Sequence, residues 1–350
     1  MTQSGPKTSS NSKSRSYVTS INELLRPKTG GPLVLDLFAG CGGLALGFEA
    51  HGFETIGFEM NADAAQTYQR NLLGRCHNTK LTPESEFPKS PVVVGGPPCQ
   101  PFSVGGHQLG IKDSRDGFPI FISAVRQAQP EVWLFENVRG LLYRNRWYLD
   151  QVIDELESLG YETHATLYNA LGFGVPQNRE RLVVFGCKTP FSAPRTSPQR
   201  VTAGEALGAL ALDAPENGRY LTSSMDTYVK KYEIASKCIN PRDLHLDRPA
   251  RTLTCRNLAG ATGDMQRIRL PDGRRRRLTV RESARLQSFP DWFEFAGAEG
   301  SQFEQVGNAV APLFARALAG AVLNHLHGVA APDHVASQRI GRQLSFALTS

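Results

Sequence analysis

The sequence predicts an α/β fold built on a mostly parallel sheet, with a smaller second domain, and three observations carry that reading. Short apolar runs rich in β-branched residues alternate with helical stretches up to about residue 189, after which Pro, Ser and Arg become common and the alternation stops. The run 33–37 passes directly into Phe38-Ala39-Gly40-Cys41-Gly42-Gly43 and then a helical stretch over 44–50. A strand, a glycine turn and a helix in that order leave amides free for a nucleotide-type cofactor. The run 91–94 ends in Gly95-Gly96-Pro97-Pro98-Cys99-Gln100-Pro101-Phe102-Ser103. Glycine allows close backbone approach and proline fixes φ, so this exit loop is stiff. It places the Cys99 thiol at the carboxyl end of a parallel strand, where open α/β sheets put their chemistry. An arbitrary cysteine in such a turn is more often a small buried hydrophobe.

The remaining elements follow in order. Residues 1 to about 30 are rich in Ser, Thr and Lys and read as a loose tail. A second strand over 55–58 ends at Glu59, and Asn61 caps a helix running to about Asn71. After the cysteine loop, 104–117 has the composition of a solvated surface loop. A helix over 118–128 leads to a strand over 132–135 that ends in Glu136-Asn137-Val138. An amphipathic helix over 145–159 stops at Gly160, a strand covers 162–168, and Gln177-Asn178-Arg179-Glu180-Arg181 precedes a strand over 182–187. Residues 190–302 form the second domain, in which Thr279-Val280-Arg281-Glu282 reads as a capping box. Residues 303–328 return to complete the first domain, 31–189, and 329–350 read as a second loose tail.

Composition bounds the class. The 350 residues, 40% hydrophobic and 21% charged, are ordinary globular values, and 39 basic against 33 acidic residues suit a polyanionic partner without requiring one. None of the six cysteines stands in a CxxC pair, which argues against a zinc site or a disulfide framework and for reduced thiols in the cytoplasm. No apolar run approaches membrane-spanning length.

Gly40, Gly42 and Ala45 with Glu59 also satisfy the dinucleotide fingerprint, which alone would suggest a nicotinamide dehydrogenase. The larger pattern is different. DLFAGCGG at 36–43, PPCQPFS at 97–103, ENV at 136–138, QNRER at 177–181, RESARLQSFPD at 281–291 and QVGNAVAP at 305–312 occur in that order. Together they resemble the conserved blocks of the DNA cytosine-5 methyltransferases, over about residues 32–328.

The resemblance implies a Rossmann-like S-adenosylmethionine-dependent fold with a target-recognition domain, acting on double-stranded DNA. It assigns catalysis to Cys99, Glu136 and Arg181, with Arg179 beside them. It assigns the cofactor to Asp36, Phe38, Ala39, Gly40, Cys41, Gly42 and Gly43, to Glu59 and Met60, and to Pro98, Asn308 and Ala309. The block that usually supplies an aspartate for the adenine amino group has no convincing match, and Asn78 is the nearest candidate. DNA contacts fall to Gln100, Ser103, Lys112, Arg115 and Arg281, while Arg274 to Arg277 read either as a solvated turn or as phosphate contacts. The implied role is the modification half of a restriction–modification system, as a monomer without metal, with a cognate endonuclease as functional partner. Two rivals remain: a tRNA cytosine-5 methyltransferase, whose Cys-Phe-Thr signature does not occur here, and a non-catalytic DNA-binding relative.

Overall fold

The computed structural model describes residues 15–98, 116–215, 218–235, 237, 242–259 and 264–329. Its centre is a seven-stranded sheet. Five strands run parallel, β1 (Leu33–Leu37), β2 (Glu54–Glu59), β3 (Arg75–Asn78), β4 (Val92–Gly95) and β5 (Val132–Val138). Beyond β5 lie β6 (Glu162–Asn169) and, after the two-residue β7 (Gln177–Asn178), β8 (Glu180–Cys187). The order is β3-β2-β1-β4-β5-β8-β6, with β8 antiparallel to both β5 and β6.

The winding direction reverses between β1 and β4, so the loops leaving their carboxyl ends diverge from one point, with Leu37 paired to Gly95. That switch point is where α/β sheets open a crevice. Alternation along the strands divides the core between two faces. Leu35, Leu37, Val93, Trp133 and Phe135 pack under helix Phe118–Ala128, while Val34, Val92, Val94, Leu134 and Phe185 pack under helices Gly43–Glu49 and Pro312–Leu326. The last two helices touch closely enough to require a glycine. A Cβ on Gly47 would lie 2.4 Å from the Ala315 carbonyl carbon.

The amino-terminal stretch departs from the expectation of a loose tail. Ser16 caps a helix, Tyr17–Leu24, in which Ile21 is buried, as is Leu25 just beyond it. Asn22 accepts from the Asp291 amide at 2.7 Å and, through its carbonyl, from Trp292 Nε1 at 3.1 Å. Those partners lie some 270 residues away in sequence, so local composition could not reveal them.

The second region is assembled from short pieces: helices Ala203–Leu207, Ser223–Ala235, Cys255–Ala259 and Val280–Leu286, and strands β9 (Ala250–Arg251), β10 (Arg267–Arg269) and β11 (Arg275–Arg277). Among the described residues it has no separate core. One buried cluster runs from Ala45 and Tyr68 through Leu207, Leu253 and Ile268 to Phe289 and Phe303. The pairing of β7 with β9 joins the two regions through Gln177↔Ala250. Among the described residues no single helix is long and apolar enough to cross a membrane.

Candidate active site

Antiparallel pairing of β5 with β8 sets Glu136 opposite Val183 and Val138 opposite Arg181. That register brings the Arg181 guanidinium to 2.8 Å from Glu136, both side chains being about one-eighth exposed. Arg181 and Val138 also line an open cavity of about 390 Å³, together with Arg139, Asn178, Arg251 and Thr252. A carboxyl and a guanidinium side by side can engage adjacent donor and acceptor atoms of a planar heterocycle.

The loop after β4 is held where it enters this neighbourhood. Asn137 donates to the Pro97 carbonyl at 3.0 Å, and the Gly117 amide donates to the Pro98 carbonyl at 3.0 Å. Asp116 accepts from the Phe118 amide at 3.1 Å and from the Tyr148 hydroxyl, which ties down the far side of the same loop. Sequence reading missed these tethers. The block 136–138 was the available signal for Asn137, whose amide is suited to bonding a backbone carbonyl. Cys99 lies outside the described residues, as do Gln100, Ser103, Lys112 and Arg115.

The described cysteines are poor nucleophile candidates. Burial pushes the thiols of Cys41 and Cys76 up to about 12 and that of Cys187 up to about 11, and it also raises Cys255. A nucleophilic cysteine needs its thiolate accessible near neutral pH. Cys41 instead donates to the Gln305 carbonyl, joining the glycine turn to helix Glu299–Asn308.

Around the switch point, Phe38 and Gly42 take left-handed conformations, with φ of 58° and 89°. Phe38 is the informative one, since a bulky residue pays strain there that Gly42 avoids. Glu59 accepts from the Gly40 amide at 2.9 Å and the Asn61 amide at 2.7 Å, fixing its carboxylate against the turn. Asn78 donates to the Glu59 and Met60 carbonyls at 3.0 and 3.1 Å, which commits its amide nitrogen and leaves its oxygen as the acceptor. Met60 is 68% exposed at the rim. Asp36 is buried with neither carboxyl oxygen hydrogen-bonded. Burial first, and then the Glu59 charge, hold its pKa well above the usual carboxylate range; the Ala45 amide acts the other way, but from outside hydrogen-bond geometry.

Three arginines placed at the site by sequence are engaged in structure instead. Arg179 is buried and donates to the Leu253, Gly307 and Ala309 carbonyls at 2.7, 3.2 and 3.0 Å. It cements three segments behind the cavity and does not line it. Arg281 donates to the Pro290 and Phe293 carbonyls at 3.0 and 2.7 Å, closing the turn after its own helix. Arg276 is buried against Glu282 at 2.7 and 2.9 Å, so Arg275–Arg277 form a strand with an internal ion pair, and Arg274 alone stays exposed at the turn, paired with Asp272. Asn308 accepts from the Cys255 thiol at 3.0 Å, and the Ala309 carbonyl also takes a bond from Gln287 at 2.8 Å. Both therefore face the junction with the second region.

The family model for C-5 cytosine-specific DNA methylase matches residues 33–324. The chain belongs to the C-5 cytosine-specific DNA methylases. This methylase is similar to the Type II methyltransferase M.AplI of Arthrospira platensis, 57% identical over 293 residues that cover 83% of this chain and 85% of the relative. It is also similar to the Type II methyltransferase M1.HphI of Haemophilus parahaemolyticus, 34% identical over 83% of this chain and 86% of the relative. Among solved structures, the S. pombe Dnmt2 methyltransferase superposes with a TM-score of 0.67 at 17% identity, over 85% of this chain and 99% of that one. At that identity the likeness speaks to the fold alone.

The methylase is thus a DNA cytosine-5-methyltransferase, and its methyl donor is S-adenosylmethionine. The tRNA-directed alternative does not fit the family model or these Type II relatives, and the dehydrogenase reading falls with it. The described residues suit the donor. The orphaned buried Asp36 carboxyl and the pinned Glu59 carboxylate beside a glycine turn are apt for a ligand carrying cationic groups and ribose hydroxyls.

Proposed function

We propose that this methylase modifies cytosine within a specific sequence of double-stranded DNA, using Cys99 as nucleophile and the Glu136–Arg181 pair to hold and polarise the base. The observation that carries this reading is the 2.8 Å contact of Glu136 with Arg181, Glu136 lying on the strand next to the one that leads into the tethered Pro97-Pro98 segment. Cytosine carbon 5 is too weakly nucleophilic to accept a methyl group unaided. A bond from the Cys99 sulfur to carbon 6 moves the ring π-electrons towards carbon 5, ring nitrogen 3 and the exocyclic oxygen. Glu136 meets nitrogen 3 as a proton donor, and Arg181 meets the oxygen with a charge-assisted bond. S-adenosylmethionine, when bound, supplies the methyl group as an electrophile, held by Asp36, Glu59 and the glycine turn with Asn78 at the adenine. Loss of the carbon 5 proton then lets the thiolate leave.

A base stacked in a duplex cannot reach such a site, so the target must be flipped out, at a cost of a few kcal/mol. Arg251 on the cavity wall is suited to the backbone beside it. Its guanidinium, with those of Arg242 and Arg256, shares the single Asp264 carboxylate at 3.3, 3.4 and 3.8 Å, which leaves positive charge in excess at the cavity mouth. The protein works as a monomer, and its likeness to Type II methyltransferases supports a role in protecting its host's DNA from a cognate restriction endonuclease.

Bisulfite sequencing of plasmid DNA from an expressing host reports target base and sequence context together. Protected cytosines in one recurring sequence are expected, and their absence overturns the reading. For the pair itself, Glu136→Gln keeps shape but loses the transferable proton. The expected result is a fall of at least about a hundredfold in single-turnover methylation. Arg181→Ala is expected to weaken both the flipped-base complex and turnover. Calorimetric titration of S-adenosylmethionine should be unchanged in both; wild-type transfer rates would move the active site elsewhere.

A further inference from the structure

The helix Ser223–Ala235 in the second region has its charges sorted by direction. Asp226, Val229 and Glu233 fall at helical spacings of three and four and so share one side. Val229 is the buried residue of the helix. Asp226 pairs with Arg275 at 3.1 Å and Glu233 with Arg267 at 3.1 Å. Asp243 braces both arginines from between, at 2.8 Å to Arg267 and 3.0 Å to Arg275. Arg267 is fully buried and Arg275 nearly so, on the paired strands β10 and β11. Arg275, from the run that the sequence offered to phosphates, is therefore spent with Arg267 on supporting this helix by its acidic side.

The opposite stripe is Ser224, Thr227, Tyr228 and Lys231, all exposed. Both acids of the helix pair with arginines of β10 and β11 and its two lysines, Lys230 and Lys231, lie exposed, so what it offers to a partner is hydroxyls, a phenol, positive charge and one apolar side chain, Ile234, which is 78% exposed. Tyr228 stacks on Tyr232 with ring centroids 6.4 Å apart, which restrains the most prominent side chain of the stripe. The support is continuous with the active site. Asp243 follows Arg242, which pairs with Asp264, the partner of the cavity-lining Arg251. A 13-residue helix is about 20 Å long and fits the major groove, about 12 Å wide, where base edges present a distinct pattern for each pair.

We propose that Ser223–Ala235 is the helix that reads the target duplex, with Ser224, Thr227 and Tyr228 on base edges and Lys231 on a flanking phosphate. The proposal rests on the DNA-methylating activity of the chain and assigns the reading of the duplex to one element of the second region. Acidic partners other than DNA would suit the lysines, but the hydroxyl-rich stripe adds donors and acceptors of the kind that base readout uses.

The test uses the full-length enzyme with Thr227→Ala, Tyr228→Ala and Lys231→Glu, assayed on duplexes randomised around the methylated site, with bisulfite sequencing as readout. Binding to the cognate duplex is titrated against salt, and thermal midpoints and S-adenosylmethionine titrations are run alongside. Thr227→Ala and Tyr228→Ala are expected to relax the sequence profile at one or two positions. Lys231→Glu should weaken cognate binding at least about tenfold and flatten the dependence of log K on log salt by roughly one unit. Folded variants with the wild-type profile and wild-type binding overturn the proposal. So does uniformly weaker binding with an unaltered profile, which would make the helix a non-reading contact. Failure of the wild type to methylate any duplex would instead strike at the activity itself.

Discussion

Cys99→Ala is expected to abolish methyl transfer while leaving S-adenosylmethionine affinity within experimental error. Without the sulfur no bond to carbon 6 forms, and carbon 5 is not activated, so the whole covalent route is lost and not merely a fraction of it. The described thiols offer no substitute, since burial raises each of them away from the thiolate form. The proposed cofactor contacts lie instead on the turn after β1 and on Glu59, which the Gly40 and Asn61 amides hold independently of the cysteine loop. A duplex carrying 5-fluorocytosine at the target should trap the wild-type enzyme covalently, because fluorine cannot leave carbon 5 as a proton does, and the Ala variant should form no adduct. Near-wild-type turnover in the variant would sink the assignment.

The largest stability effect is expected at Arg276. Its guanidinium meets Glu282 bidentately and also donates to the Asp213 and Leu210 carbonyls at 2.9 and 3.0 Å. Glu282 in turn accepts from the Thr279 amide at 2.8 Å in the capping box of its helix. Arg276→Ala would remove the partner of a buried carboxylate and of three carbonyls, those of Asp213, Leu210 and Arg277, and breaking a buried pair from one side typically costs about 3–5 kcal/mol. A fall in the thermal midpoint of roughly 4–7 °C follows for a protein of 350 residues. Arg274→Ala, two residues away, is the control: Arg274 is 56% exposed and pairs with Asp272 at the tip of the hairpin. Its midpoint should not move. Equal losses at both positions would show that the run acts through its total charge and not through Arg276.

Much of the sheet was legible because its signals are local. Asn61 before an apolar-periodic stretch, Thr279 three residues before Glu282, and Gly160 just past the helix Arg146–Ser158 each mark a boundary through bonds within one turn. The antiparallel insertion of β8 between β5 and β6 was not legible, because strand direction depends on how a chain returns after a long connection and leaves little trace in a short apolar run. The arginines show the same division. Arg179 and Arg181 are one residue type, two positions apart, yet one is buried under three carbonyls and the other stands beside Glu136. The amino-terminal helix was missed for a related reason, since the groups that hold Asn22 and bury Ile21 belong to distant segments.

By itself, then, the sequence determined the α/β class, the order of the chemical blocks and the family, since each resides in residue identity and short-range spacing. Only the tertiary structure decided which cations are free to meet DNA and which are spent as internal struts. A guanidinium reaches several ångströms from its own backbone, and its partner is selected by whatever the fold brings within that reach.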